Sequence, residues 1–153
     1  MAKRNQVTER DMGWQRINAE ISKAKGAGVK VGVLADSEPH EDGADMLLIA
    51  AANEFGTFDG RIPARPFVRG GYDQHRRDLQ QLKERLWNLI LAGKMNIDRA
   101  LGLLGETHQS QVQAYMTALD TPPNAPRTIA QKGSSNPLID SGRLRLSIRW
   151  ERD

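Results

Sequence analysis

Cysteine is absent. That excludes disulfides, thiolate metal sites and a cysteine nucleophile, and it suits a reducing compartment. Aromatic residues make up only 5% of the chain, so a core must come mostly from Leu, Ile, Val and Ala. No apolar run approaches the ~18 residues of a membrane span. The N-terminus, MAKRNQVTERDMGW, is charged and lacks the apolar stretch of a signal peptide. What remains is 153 residues, enough for one buried core. The expectation is a soluble protein made in a cytoplasm, with a polar tail over residues 1–11 and one domain over 12–153.

Net charge is a modest +3, but it is unevenly spread. Residues 36–59 carry seven acids and no Lys or Arg, whereas 61–99 carry nine basic residues against four acids. This is either an ordinary pair of solvated faces or a subunit with unlike flanks suited to packing on its own neighbour.

Periodicity predicts a short helix over 12–25, with Trp14, Ile17 and Ile21 on one side, and a strand over Val29–Leu34. Asp45 is placed to cap a helix over 46–55 that Gly56 would end. A strand is expected near 64–70. The leucines at 79, 82, 86 and 89 predict an amphipathic helix over 73–92 with Asp73 as its cap. A second long helix follows, with Ile97, Leu101, Leu104, His108, Val112, Tyr115 and Leu119 on one face. The short link makes the two an antiparallel pair. Gly102 and Gly105 weaken that helix or admit a close neighbour. Residues 121–142 hold four of the seven prolines and read as one long loop. RLRLSIRW (143–150) alternates like a half-buried strand with a basic outer face. The fold class is therefore α+β: a small, mainly antiparallel sheet, two long amphipathic helices on one face, and long Pro/Gly-rich loops.

Chemistry finds little purchase. His40 lies among acids, but the calcium-loop spacing is missing, since Gly43 is misplaced. His40, His75 and His108 are far apart in sequence, and His108 reads as a satisfied core or interface histidine. GAGVKVG (26–32) precedes a strand, where a phosphate-binding turn would follow one. Ser134 and Ser135 sit in no nucleophile motif. No catalytic, cofactor-binding or metal residue is assigned, and the chain is not expected to be an enzyme. Arg61, Arg65 and Arg69 recur every four residues, and Arg143, Arg145 and Arg149 fall on the expected last strand. They suit non-specific phosphate neutralisation, but no interleaved aromatics offer a stacking platform.

All three phenylalanines, Phe55, Phe58 and Phe67, fall within NEFGTFDGRIPARPFVRGG (53–71). Phe55 is expected to pack within its own domain, and Phe67, held extended after Pro66, to dock on the helices that follow. Phe58 lacks such a framework and, with Arg61, is expected to reach a neighbouring subunit.

VGVL (31–34), AANEFGT (51–57), IPARPFVR (62–69) and TIAQKGSSNPLIDSGRLRLSI (128–148), in this order, resemble the tail-completion or minor tail proteins of tailed bacteriophages. These are related to the virion morphogenesis proteins of Mu-like phages. The resemblance covers about 29–150. Ser141 stands where the family pattern often has threonine, and the N-terminal helix and the 36–45 loop are particular to this chain. The resemblance implies a structural virion protein at the head-proximal end of the tail, assembled in the host cytoplasm. It implies a homo-hexameric ring around the DNA channel that contacts other neck and tail proteins, with no cofactor and no membrane. The residues implied in motif and assembly are Glu54, Phe55, Gly56, Phe58, Arg61, Pro63, Arg65, Pro66, Phe67, Lys132, Pro137, Leu138, Asp140 and Gly142. Arg61, Arg65, Arg69, Arg143 and Arg145 are the expected contacts to passing DNA. The alternative is a DNA-binding module without sequence preference.

Overall fold

Two glutamates that sequence periodicity passed over organise the molecule. The computed structural model describes residues 11–34, 36–39, 43–133, 135–139 and 141–153. Eight elements follow in order: α1 (Trp14–Ala24), β1 (Val29–Val33), α2 (Met46–Phe55), α3 (Phe67–Leu91), α4 (Ile97–Ala118), α5 (Pro126–Lys132), α6 (Arg143–Leu146) and β2 (Ile148–Arg152). The fold is α+β, with the two long helices α3 and α4 packed together. The expected 1–11 tail and the acidic cluster at His40 lie largely outside the described residues. Asp11 is described: its carboxylate accepts from the backbone N–H groups of Gly13 and Trp14 at 2.9 and 2.7 Å and starts α1.

The first organising glutamate is Glu54, buried at the end of α2. Its two oxygens accept from Val68 N–H at 2.9 Å and Arg69 N–H at 3.2 Å, the free donors at the start of α3. The second is Glu20, buried on α1, which accepts from Ile97 N–H at 2.8 Å at the start of α4. Each helix of the hairpin is thus capped by a carboxylate from a separate helix. In an antiparallel pair these caps sit at opposite ends, so α2 holds one end and α1 the other.

Two apolar cores match these two ends. One joins Met46, Ala50, Phe67, Val112, Met116, Leu138, Leu144 and Ile148. The other joins Leu86, Ile90, Ile97, Ala100 and Leu101, with Ala24, Ala27 and Val29 against it. Where α3 crosses α4, a Cβ on Gly71 would lie 3.1 Å from the Val112 Cα. The RGG triplet therefore belongs to a close helix crossing.

β1 and β2 pair antiparallel, with Val31 opposite Trp150. α4 lies against both strands. Trp150 N–H donates to the Gln109 side chain at 3.1 Å, and the Ile148 carbonyl accepts from Gln113 Nε2 at 3.1 Å. Two glutamines one helical turn apart thereby close the outer edge of β2, as edge strands require. The Trp150 ring fits because residue 105 is glycine: a Cβ there would stand 2.4 Å from the indole Cδ2.

Four expectations are corrected. Residues 64–70 form no strand, because α3 begins at Phe67 once Glu54 caps it, and Asp73 lies inside that helix. The 121–142 loop contains α5, entered at Pro126 and ended by Gly133 in the left-handed region (φ 68°). Proline at the first helical position is favoured because it has no N–H to satisfy. The alternating 143–150 segment is divided: 143–146 is one helical turn entered from Gly142 (φ 79°), and the strand begins at Ile148. Leu144 is buried while Leu146 is 67% exposed, so the two leucines do not share an inner face. The sheet has two strands among the described residues.

The carboxylate of Glu20 is held below the ordinary glutamate value, first by the Ile97 N–H and then by Lys23, whose ammonium is 3.1 Å away. A carboxyl with a lower pKa in the folded chain stabilises it above the unfolded value, about 4.5. That stabilisation is lost as pH falls through the lower folded value. Glu20→Gln is therefore expected to flatten the acid limb of a pH titration of stability, below about pH 4.5, read by denaturant unfolding. An unchanged acid limb in that variant would count against the cap.

Candidate assembly surface

The segment 53–67 forms a closed knot. Arg65 N–H donates to the Asn53 carbonyl at 2.7 Å, and Thr57 N–H donates to the Ile62 carbonyl at 2.9 Å. Ile62 N–H returns to the Thr57 hydroxyl at 3.0 Å. Gly56 is required at the pinch. Its φ is 77°, and a Cβ there would lie 2.9 Å from Ala64 N. The Arg65 side chain is buried at 4% exposure and donates to the carbonyls of Pro122 (2.8 Å) and Pro123 (3.0 Å) and to Asn124 Oδ1 (3.3 Å). Burial pulls its guanidinium below the ordinary arginine value. It ties the Thr-Pro-Pro-Asn segment to the knot. Glu54 joins the same knot to α3, so the two halves of the EFG and IPARPF motif meet through hydrogen bonds.

Within the knot, 57–61 is a tight turn. Gly60 N–H donates to the Thr57 carbonyl at 2.9 Å. Asp59 accepts from the Thr57 hydroxyl at 2.7 Å and from Arg61 N–H at 3.1 Å. Those two contacts, the hydroxyl first, hold its carboxyl below the usual range. Phe58 stands at this turn fully in solvent, at 110% relative exposure.

Phe67 is completely buried, as the first residue of α3, in the core with Met46, Val112 and Met116. Phe55 departs from expectation. It does not pack within the domain and is 68% exposed. The reason lies in the phase of α2: Met46, Ala50 and Glu54 take the inner side, which turns Phe55 and Leu48, seven residues apart, outward. The helix carries no exposed charge, since its one ionisable residue is Glu54. A helix apolar on both sides is legible in MLLIAAANEF and marks a surface that needs a cover.

The remaining motif residues sort by environment. Pro63 is exposed and Pro66 half-buried at the start of α3. Pro137 and Leu138 are buried, and the Asn136 side chain accepts from Leu138 and Ile139 N–H at 3.0 Å each. Gly142 opens α6. Lys132 lies in α5, and its side chain is outside the described residues, as is Asp140.

The arginines do not form one row. Arg65 is interior. Arg143 and Arg145 lie on α6, and Arg143 lines one groove with Arg149, which pairs with Asp36 at 2.5 Å. Arg61 and Arg69 are exposed, and Arg61 is 3.2 Å from Asp59. Four acids of the 36–59 stretch have partners within the chain: Asp36 pairs with Arg149, Asp45 caps α2, Glu54 caps α3 and Asp59 closes its own turn. Of these only Glu54 is buried, and the other three stay exposed at the surface.

Two grooves run along the hairpin. One, of about 870 Å³, is lined by Tyr72, Arg76, Leu79, Lys83, Leu104 and His108. His108 is not satisfied as expected: its Nε2 is buried without a hydrogen-bond partner, and the ring tilts against Tyr72 at 5.7 Å. Desolvation, and then His75, keeps its pKa below the ordinary histidine value. The other groove, of about 490 Å³, lies at the far end of the hairpin and is lined mostly by apolar side chains of α1, α3 and α4. Among the described residues, no three His, Cys, Asp or Glu side chains gather as metal ligands, and no helix is long and apolar enough to cross a membrane. No protein-family model matches the chain, and neither a curated protein nor a solved structure matches it.

Proposed function

We propose that this chain is a structural subunit of a tailed-phage virion. It acts at the head-proximal end of the tail as a tail-completion or neck protein, forming a ring around the DNA channel with six copies to match tail symmetry. The observation that carries this reading is the knot at 53–67. Hydrogen bonds to the rest of the fold absorb Glu54 and Arg65, and the core absorbs Phe67, yet Phe55 and Phe58 are left in water. A rigid turn that displays an aromatic side chain is suited to docking, because little conformational entropy is lost when it binds. Mass spectrometry of purified virions, with density in the neck by cryo-EM, tests the reading. The protein is expected in the particle at six copies; absence from purified particles would sink it.

A second reading, DNA binding without sequence preference by a monomer, is favoured by Arg69, Arg76 and Lys83. These exposed residues recur every seven positions along α3. Successive members lie about 10.5 Å apart on nearly one face. Steeply salt-dependent binding of duplex DNA by the monomer would favour this alternative.

A further inference from the structure

We propose that the subunits join head to tail, with the Phe58 turn of one copy seated in the apolar groove at the far end of the next copy's hairpin. This rests on the reading of the chain as a ring-forming subunit and names the two faces that would meet. The knob and the socket lie at opposite ends of α3. The knob is tied to its first turn through Glu54. The socket is lined by Leu86, Trp87, Ile90, Ile97 and Leu101. From Phe67 to the level of Leu86–Ile90, α3 rises about 30 Å. One surface patch that fits a different patch on the same molecule makes a heterologous contact, which builds a ring when the rotation closes.

Size and chemistry match. The groove is about 490 Å³, and an apolar cavity of ~150 Å³ already holds a benzene ring. Trp87, which lines it, is 37% exposed. On the knob, Phe58 is fully exposed and Phe55 is 68% exposed. Together they offer roughly 300 Å² of apolar surface. Leu48, 69% exposed two turns earlier on α2, adds to it. The sum is roughly half of the ~800 Å² per partner of a standard stable interface, and each subunit of a closed ring makes two such contacts. The turn is already closed by Thr57 and Asp59, so the backbone that carries Phe58 need not be ordered on docking.

A mixing experiment tests the pairing by analytical ultracentrifugation of the full chain. Phe58→Asp removes the knob and leaves the socket; Trp87→Arg removes the socket and leaves the knob. Ala24→Arg, at a half-buried position of the groove wall, serves as a second socket variant. Circular dichroism checks that each variant is folded. The wild type is expected to form a closed oligomer and each variant to sediment as a monomer. An equimolar mixture of the two is expected to give a one-to-one dimer and nothing larger, since only one intact knob and one intact socket remain. Folded variants that assemble like the wild type would overturn the inference. So would a mixture that stays monomeric, or a wild type that is monomeric at high concentration. A wild type found in virions as a ring that these variants leave intact would overturn the knob and socket while the virion reading stands.

Discussion

Phe67→Ala is expected to lower the unfolding free energy by about 3–5 kcal/mol, measured by denaturant titration. Phe67 is wholly buried, and the core it belongs to draws on five other places: α2, α4, Leu138, α6 and β2. A cavity there cannot be closed by the relaxation of one element, which places the cost in the upper part of the range for aromatic truncation. Set against a typical total of 5–15 kcal/mol, such a loss brings the chain near unfolding at 37 °C. Phe58→Ala is the contrast. That side chain is fully exposed, so its removal is expected to change stability by less than about 0.5 kcal/mol while abolishing assembly. An unfolded Phe58→Ala protein would overturn the division between a core phenylalanine and a docking one.

Glu54→Ala is expected to cost about 1–3 kcal/mol. The carboxylate is the cap that satisfies two part-buried N–H donors at the start of α3, and leaving such a donor unpaired costs ~1–3 kcal/mol. Glu54 serves both Val68 and Arg69, and its removal also detaches α2 from α3. Hydrogen exchange gives the local readout. The Val68 and Arg69 amides should lose protection, while the Glu20-capped start of α4 keeps its own. Glu54→Gln retains one acceptor oxygen and should recover part of the loss. Unchanged protection at Val68 and Arg69 in Glu54→Ala would refute the capping role.

The long elements were legible because their period is strong. The 79–90 leucines and the 97–119 face predicted two paired helices, and α3 and α4 are those helices. Asp45 and Gly56 marked the bounds of α2 correctly. Reading failed where a partner distant in sequence decides the local conformation. α3 begins six residues before Asp73 because a glutamate from another helix caps it, and nothing within 64–70 announces that. RLRL satisfies alternation as well as it satisfies one helical turn, and only the burial of Leu144 without Leu146 separates them. Arg65 read as a surface cation because its acceptors, the carbonyls of Pro122 and Pro123, lie nearly sixty residues away. The apolar groove at the far end of the hairpin was invisible for the same reason: its walls come from three helices that are separate in sequence.

The sequence by itself determined the class of the fold, the two long helices, the exclusion of thiol chemistry, and the segment on which the assembly reading depends. These follow from composition and from periods within one element, which need no knowledge of the rest of the chain. Only the tertiary structure decided that Phe55 is displayed rather than packed, that Glu20 and Glu54 are caps, and that the Phe58 turn and the apolar groove lie at opposite ends of the hairpin. Burial and capping are relations between elements, and a linear pattern does not encode them until the chain has folded.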